Sequence, residues 1–441
     1  MRISEITLRV PAPRTANPWA EIRKSVMEQL PPGLWPVRLA VVASNSEGWT
    51  CELGVIADLD HDRALRMQPI FDFRRRAAED TRRFTAVLVV PTGIGCEIGG
   101  HAGDAMPVAA LASTVADTLI THPNVLNGSD IMELPPNALY VEGSVIARML
   151  SGSVALRPVR SNRVLTVLDN HQDRRYTDAA VNSVSAARVS FGLDALEIYP
   201  LEPRIRLAAH YTPSGRAVGE VWELDGLLQV LDRRRGDYDA VALSTQIDVP
   251  MSHHTEYFAA QGSMVNPWGG VEAIFTHTIS SLYDVPTAHA PMLESVEVES
   301  LDLSVVDPRM AAEAISSAFF ICVLKGLHHS PAVVRIDGRP PEGVIGAEQV
   351  SCLIIPDKVI GLPVLAALEQ GIPVIAVREN KNILNNDLAR LPWGPNQLRI
   401  VDNYWEAVGV MAAMRAGIEP NVVGRPLEAT REVAVTVDAL G

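Results

Sequence analysis

The residues of this chain that are best suited to chemistry follow an apolar run at 86–90. The next segment is a loop with five glycines between Gly93 and Gly103. Glycines permit positive φ and a close approach of backbone to ligand, and loop N–H groups before a helix favour an anion. The spacing matches neither GxGxxG nor GxxxxGK[ST], so it does not indicate a nucleotide. We expect substrate contacts from Thr92, Gly93, Gly95, Cys96, Gly99, Gly100 and His101.

Two further roles in this loop stay open. Asp104 precedes a predicted helix, where it could act as a general base or ligand anchor, or simply cap the helix. The helix dipole should then keep its carboxylate ionised near neutral pH. Cys96 could be a nucleophile, because a helix N-terminus lowers the pKa of a thiol, or it could be a small buried residue.

A second polar loop, Thr121-His-Pro-Asn-Val-Leu-Asn127, follows the predicted helix 105–119. Pro123 forces His122 out of the helical region, so its imidazole is held on the loop. The amides of Asn124 and Asn127 can read a carboxylate, an amide or a hydroxyl. Asx-turn capping of the helix end is the alternative role.

Two carboxylates stand at the ends of predicted strands. Glu142 follows a strand at 139–141, and Asp169 follows a strand at 164–168. Side chains at the carboxyl ends of parallel strands face the crevice of an open α/β sheet. Both residues are therefore candidates for the site, with capping of the next helix as the competing role.

A third group surrounds a predicted helix at 270–283. Gly269 and Gly270 offer a second anion-binding helix start, and Glu272 lies in its first turn. His277 lies off the apolar face of that helix, and His289 lies in a tight apolar loop. We expect one of these imidazoles to face the pocket formed by the earlier loops.

The expected catalytic groups converge in one pocket and are Asp104, His122, Glu142, His277 and His289. The expected substrate contacts outside the glycine loop are Asn124, Asn127, Asp169, Gly269, Gly270 and Glu272. No HExxH or CxxC spacing occurs, so we identify no cofactor, and a divalent metal on these side chains is the less favoured alternative.

Charge and cysteine use narrow the class of protein. The 441 residues carry 52 acidic and 38 basic side chains, a net charge of −14, without a basic run. This balance argues against a nucleic-acid or anionic-membrane partner. The N-terminus lacks the apolar stretch of a signal peptide, and the four cysteines are scattered. We therefore expect a cytoplasmic protein that forms a homo-oligomer.

Short apolar runs alternating with amphipathic segments predict an α/β protein with two Rossmann-like lobes, mostly parallel sheets and a cleft between the lobes. A small α+β segment at 1–84 precedes the lobes at 85–250 and 251–441. The second lobe ends in a wrapping tail whose run at 434–440 could add an edge strand. Its βαβ unit at 352–377 places Gly371 at the helix end, and a long helix is expected at 309–327.

Several of these motifs together resemble the family known as domain of unknown function 3326. They are Pro91-Thr-Gly-Ile-Gly95, Gly99-Gly-His-Ala-Gly-Asp104, Thr121-His-Pro-Asn-Val-Leu-Asn127, Leu139-Tyr-Val-Glu-Gly143, Gly269-Gly-Val-Glu-Ala273, Ala288-His-Ala-Pro291 and Gly371-Ile-Pro-Val-Ile-Ala-Val-Arg-Glu-Asn380. The resemblance covers 85–380, with Cys96 and His101 departing from the family pattern. It implies a domain boundary and no reaction.

The available groups are acids, bases and amides, without a redox or kinase motif. This inventory favours a hydrolase, lyase or isomerase acting on a small, polar, carboxylate-bearing metabolite in the cleft. The alternatives are a binding or regulatory protein that closes on a metabolite without turnover, and a racemase-like enzyme that uses Cys96.

Overall fold

The computed structural model describes residues 1–15, 17–316 and 318–433. The strands are β1 (Arg2–Pro11), β2 (Leu34–Ser44), β3 (Gly48–Ala57), β4 (Thr85–Leu88), β5 (Thr118–Thr121), β6 (Ala138–Tyr140), β7 (Val154–Arg157), β8 (Val164–Asp169), β9 (Ile198–Leu201), β10 (Arg206–Tyr211), β11 (Ala217–Trp222), β12 (Ala240–Asp248), β13 (Thr287–Met292), β14 (Ala332–Arg335), β15 (Val350–Pro356), β16 (Ile360–Gly361), β17 (Val374–Val377) and β18 (Leu398–Val401). The helices are α1 (Pro18–Gln29), α2 (His61–Arg66), α3 (Met106–Ser113), α4 (Pro123–Leu126), α5 (Gly143–Leu150), α6 (Arg174–Phe191), α7 (Asp225–Arg233), α8 (Met251–Ala259), α9 (Gly269–Tyr283), α10 (Val296–Glu299), α11 (Ala311–Ile315), α12 (Ile321–His328), α13 (Leu362–Gln370) and α14 (Tyr404–Arg415).

One sheet is entirely parallel and has the strand order β18-β17-β15-β4-β5-β6. Its central strands β4 and β15 are buried along their whole length, as apolar runs in a sheet covered on both faces should be. Because β4 pairs with β15, this sheet combines strands from both predicted lobes. The boundaries at 85–250 and 251–441 therefore do not coincide with the sheets and stay a prediction.

The larger sheet joins an antiparallel part to a parallel part. Strands β16-β2-β3-β1-β11-β10 are antiparallel neighbours, and β9-β8-β12-β13 are parallel. The two parts meet where Leu207 of β10 pairs with Ile247 of β12. The α/β class with parallel strands is confirmed, but the division into two Rossmann-like lobes is not. Residues 1–84 supply β1, β2 and β3 to this shared sheet.

Two predicted elements, the βαβ unit at 352–377 and the helix at 270–283, are confirmed with small shifts at their ends. Helix α1 begins where the Asn17 side chain accepts a hydrogen bond from the Ala20 N–H and Pro18 occupies the first turn. The βαβ unit β15-α13-β17 is present, and Gly371 ends α13 in the left-handed conformation at φ 68°. Helix α9 covers nearly the predicted range.

Three local predictions are wrong, because apolar patterning locates buried segments better than it fixes their type or their ends. The predicted helix 105–119 ends at Ser113, and its last residues belong to β5, so His122 follows a strand. The predicted helix 309–327 is a 3-10 turn followed by two separate helices, α11 and α12. His289 lies in β13 and not in a loop.

None of the last described residues, 421–433, is buried against the rest of the protein. Every residue from Asn421 to Val433 is exposed, and the predicted strand at 434–440 lies outside the described residues. Among the residues that are described, no helix is both long enough and apolar enough to span a lipid bilayer.

Candidate functional site

A cavity of about 750 Å³ lies where the carboxyl ends of β4, β5, β6 and β15 meet helix α9. Its wall is mainly apolar and includes Ile94, Ile146, Phe258, Leu301, Phe319 and Ile360. Polar side chains enter it chiefly from α9, from the start of α5 and from β13. This size and this mixture of groups are typical of pockets that enclose a small molecule.

Glu142 and His277 form a tightly held pair in the wall. The Glu142 carboxylate caps α5, where Oε2 accepts hydrogen bonds from the N–H of Ser144 at 2.8 Å and of Val145 at 3.3 Å. Its Oε1 lies against Nδ1 of His277, and the Thr276 hydroxyl is 3.4 Å away. A Cβ on Gly143 would lie 2.9 Å from the His277 ring, so glycine is what admits the imidazole here.

The charge of this pair is set by burial and by its partners. Burial acts to raise the pKa of Glu142, but His277, the Ser144 hydroxyl and Arg148 hold the pKa below its usual value. The carboxyl is thus ionised at neutral pH although its side chain is only 2% exposed. An ionised carboxylate at Nδ1 favours the tautomer of His277 that carries its proton there.

His122 ends β5 and contributes a neutral imidazole to the same wall. Its Nε2 accepts a hydrogen bond from the Val90 N–H at 3.0 Å. Burial lowers the pKa of His122 to about 4; the charge of Glu142 opposes this shift and His277 adds to it. The ring is therefore uncharged at neutral pH, and Nδ1 carries its proton.

A second carboxylate–imidazole pair involves Glu272, five residues before His277 on α9. Nδ1 of His289 is 2.8 Å from Oε2 of Glu272, and its Nε2 is 2.8 Å from the Thr245 hydroxyl. The His289 ring is fully buried and packs edge-to-face on Phe275. Both ring nitrogens are therefore occupied by the protein, which fixes this side chain as part of the wall.

The structure brings ten of the expected site residues to the cavity: Thr92, His101, His122, Asn124, Asn127, Glu142, Gly269, Glu272, His277 and His289. The remaining eight are not part of its lining: Gly93, Gly95, Cys96, Gly99, Gly100, Asp104, Asp169 and Gly270. Direct substrate contacts by these eight stay a prediction.

Close packing of the backbone accounts for several of these glycines. A Cβ on Gly93 would lie 2.6 Å from the Ala217 carbonyl oxygen, and one on Gly270 would lie 1.9 Å from the same atom. A Cβ on Gly100 would lie 2.1 Å from the Cys96 carbonyl oxygen. The glycine spacing thus reflects loops that pack on each other beside the cavity.

Asp104 differs from its predicted geometry. The residue before α3 is Ala105, without a side-chain cap, and Oδ1 of Asp104 instead accepts a hydrogen bond from the Gly99 N–H at 2.9 Å. Burial raises the pKa of Asp104 to about 7, against the hydrogen bonds that lower it. The expectation that a helix dipole keeps this carboxylate fully ionised is therefore wrong.

The environments of Asp169 and Cys96 indicate structural roles for both residues. The Asp169 carboxylate accepts hydrogen bonds from the N–H groups of Ile205 at 3.0 Å and Gln246 at 2.9 Å, and burial raises its pKa to about 6. Burial also raises the pKa of the Cys96 thiol far above its usual value, with Asp104 adding to the shift. A protonated thiol is a poor nucleophile, which removes the physical basis for a Cys96 mechanism.

The raised pKa of Asp104 makes stability depend on pH. Its value of about 7 in the folded protein exceeds the ordinary value of 3.8, so unfolding releases a proton between these pH values. Stability should therefore fall as pH rises through this window. We expect Asp104→Asn, measured by denaturant unfolding at pH 5 and pH 8, to gain about 1–2 kcal/mol relative to wild type at the higher pH. The exposed Asp337→Asn should show no such gain, and equal behaviour of the two variants would contradict the assignment.

Sequence reasoning missed a set of buried charges beside the cavity. Arg38 and Arg216 are part of its lining, and they pair with Glu5 and Glu52 on neighbouring strands of the antiparallel sheet. The signal was present in the sequence, since Glu52 interrupts an otherwise apolar buried strand. A charge in such a strand requires a buried partner.

Sequence reasoning also missed Glu313, which faces the cavity from α11. Its Oε1 accepts hydrogen bonds from the Ala102 N–H at 2.7 Å and the Asn266 amide at 3.1 Å. Burial raises its pKa to about 7, while these hydrogen bonds lower it. Within residues 1–15, 17–316 and 318–433, no group of three or more His, Cys, Asp or Glu is arranged to hold a metal ion.

Comparison with known proteins places these motifs in a family. A family model described as "Protein of unknown function (DUF3326)" matches residues 85–424. An uncharacterized lipoprotein from Synechococcus sp. is 35% identical over 342 residues, which are 77% of this chain and 93% of the relative. No solved structure matches the chain.

The name of this relative overturns two predictions. The expected cytoplasmic location and the expected hydrolase, lyase or isomerase acting on a carboxylate-bearing metabolite are both contradicted, because the relative is named a lipoprotein. Composition, charge and cysteine count were weak guides to location, since a lipid anchor modifies one residue and leaves the rest of a chain unchanged. The family match spans most of the sequence and includes every motif on which the resemblance rested, so the chain belongs to the DUF3326 family of proteins of unknown function.

Proposed function

We propose that the protein binds, in the cavity beside α9, a small molecule with a mainly apolar body and one uncharged polar end. The observation that carries this proposal is the cavity itself, with a volume of about 750 Å³ and a mainly apolar wall. The imidazoles of His122 and His277 are part of its polar lining. Binding in such a space is driven by burial of the ligand's apolar surface, and a few polar groups orient the ligand.

The charges around the cavity disfavour a negatively charged ligand. The carboxylates of Glu142 and Glu272 face it, and a ligand carboxylate would be repelled by them in surroundings of low dielectric constant. The arginines in the wall do not offset this repulsion, because each has a carboxylate partner. Arg148 pairs with Asp284 at 2.7 Å, Arg216 with Glu52 at 2.6 Å and Arg38 with Glu5 at 3.2 Å.

The segment 293–316 supports a ligand that is enclosed by the protein. Leu293, Leu301 and Ile315 of this segment line the cavity. Polar contacts hold the segment in place, among them His254 to Glu294 at 3.2 Å and Tyr176 to Glu299 at 2.9 Å. Enclosure on this side increases the apolar surface that a bound molecule removes from water.

A cavity-filling variant tests the proposal. Ala273 lies on the cavity side of α9, so the indole of Ala273→Trp should occupy part of the space. We expect the wild-type protein to bind the neutral apolar dye N-phenyl-1-naphthylamine with a rise in dye fluorescence. We expect Ala273→Trp to bind it at least about tenfold more weakly, because the lost cavity volume removes apolar contact.

The matched control is Ala186→Trp, on the exposed face of α6. It should bind the dye as the wild type does, and denaturant unfolding of both variants verifies that they are folded. Absence of a fluorescence rise with the wild type, or equal dye affinity of the two variants, would contradict the proposal.

A further inference from the structure

We infer that the polar end of the ligand is a group that both donates and accepts a hydrogen bond, an alcohol or an amide, held between His277 and His122. This inference rests on the proposed function and names the ligand chemistry at the same site. It follows from which ring nitrogen of each histidine lies against another group of the protein.

His277 offers an acceptor to the cavity. Its Nδ1 lies against the ionised Glu142 carboxylate, and this contact is favourable only when Nδ1 carries a proton. An imidazole whose single proton is on Nδ1 has a free lone pair on Nε2. A Cβ on Gly143 would lie 2.9 Å from Cε1 and 3.5 Å from Nε2 of His277, so the missing side chain leaves room beside this edge of the ring. Both residues line the cavity, and the His277 side chain is 17% exposed. A ligand O–H or N–H can donate to Nε2 of His277.

His122 offers a donor to the cavity. Its Nε2 is occupied by the Val90 N–H, so the proton of the neutral ring lies on Nδ1. His122 follows Thr121 of β5, and Thr121 pairs with Tyr140 of β6, two residues before Glu142. His122 therefore lies at the strand end next to the Glu142–His277 pair. An oxygen of the ligand can therefore accept from His122 while the ligand donates to His277.

The other polar end groups fit less well. A carboxylate lacks the proton that His277 needs, and Glu142 repels it. An ammonium lacks the acceptor that His122 needs, and the Glu142 oxygens are already occupied by Ser144, Val145, Thr276 and His277. An ether accepts from His122 but leaves His277 unmatched. Only a group with both functions satisfies both rings.

The experiment is displacement of N-phenyl-1-naphthylamine from the wild-type protein at pH 7.5 by five ten-carbon compounds: decan-1-ol, decanamide, decyl methyl ether, decanoate and decylamine. Their apolar bodies are nearly equal, so differences report the polar end. We expect decan-1-ol and decanamide to displace the dye at concentrations about tenfold lower than the ether, the value of one hydrogen bond in a dry site. Decanoate and decylamine should be weaker than the alcohol.

A variant assigns the preference to His277. His277→Phe keeps an aromatic ring and removes the acceptor, so it should bind the dye and lose the difference between alcohol and ether. His61→Phe, at an exposed position, should keep that difference. The inference is overturned if the wild type binds the ether as tightly as the alcohol, or binds decanoate or decylamine best. Failure of the dye itself to bind would instead refute the proposed function, so the two failures are distinguishable.

Discussion

Arg216→Met should lower the free energy of unfolding by about 3–5 kcal/mol, because it leaves buried carboxylates without their cation. Arg216 is fully buried, with Nη1 at 2.6 Å from Glu52 and Nη2 at 3.0 Å from Glu5. Burial acts to raise the pKa of Glu5, but Arg38 and Arg216 hold it below its usual value. Methionine fills much of the same space, so the loss reports charge rather than volume.

The control for this prediction is Arg2→Met. Arg2 pairs with Glu220 at the surface, where both side chains are substantially exposed, at 55% and 33%. Such pairs contribute about 0–1 kcal/mol. Urea unfolding at pH 7 measures both variants. Surface pairs contribute up to about 1 kcal/mol, so this value is the threshold. If the losses of Arg216→Met and Arg2→Met differ by less than that, the buried charges do not form a stabilising network.

Gly270→Ala should lower the free energy of unfolding by about 3 kcal/mol, near the upper end of the cost of overpacking. The added Cβ would lie 1.9 Å from the Ala217 carbonyl oxygen and 2.4 Å from its carbon. These are backbone atoms of the antiparallel sheet, which cannot move aside as a flexible side chain would. The start of α9 would have to shift away from β11, and Glu272 and His277 would shift with it.

Gly409→Ala is the matched control, since Gly409 lies on the exposed side of α14 and a Cβ there meets nothing within 4 Å. Replacing glycine in a helix interior should stabilise by about 0.5–1 kcal/mol. The two substitutions are chemically identical and should therefore change stability in opposite directions, as measured by urea unfolding. A neutral Gly270→Ala would contradict the packing role assigned to this glycine. Dye binding to Gly270→Ala shows whether the cavity survives the shift.

The sequence allowed the residues of the cavity wall to be found because polar groups at element ends stand out against apolar surroundings. Glu142 and Glu272 were identified in this way, and His277 was identified because it lies off the apolar face of its helix; all three line the cavity. The pairings within the wall could not be predicted, because they join residues far apart in the chain. Glu142 meets His277 only through the packing of α5 against α9.

The glycines and Asp104 show the limit of local reasoning. A glycine that lets a ligand approach the backbone cannot be distinguished by sequence from a glycine that lets two backbone segments pack together. For Gly270, the contact with Ala217 shows the packing role. The ionisation of Asp104 likewise depends on burial by distant elements and not on the helix that follows it. The α/β class followed from alternating patterns, but the strand order depends on long-range pairing such as Leu88 with Ile354.

The pairing of β4 with β15 also has a consequence for biosynthesis. A ribosome that adds about 5–20 residues per second needs roughly 13–50 s to advance from β4 to β15. Throughout that interval, the edge of β4 that later pairs with β15 has unpaired backbone N–H and C=O groups. Such an edge can pair with a strand of another chain. The nascent chain is thus prone to aggregation even when about two thirds of it has left the ribosome. This risk ends only when Val350–Pro356 is synthesised and pairs with β4 in the middle of the parallel sheet.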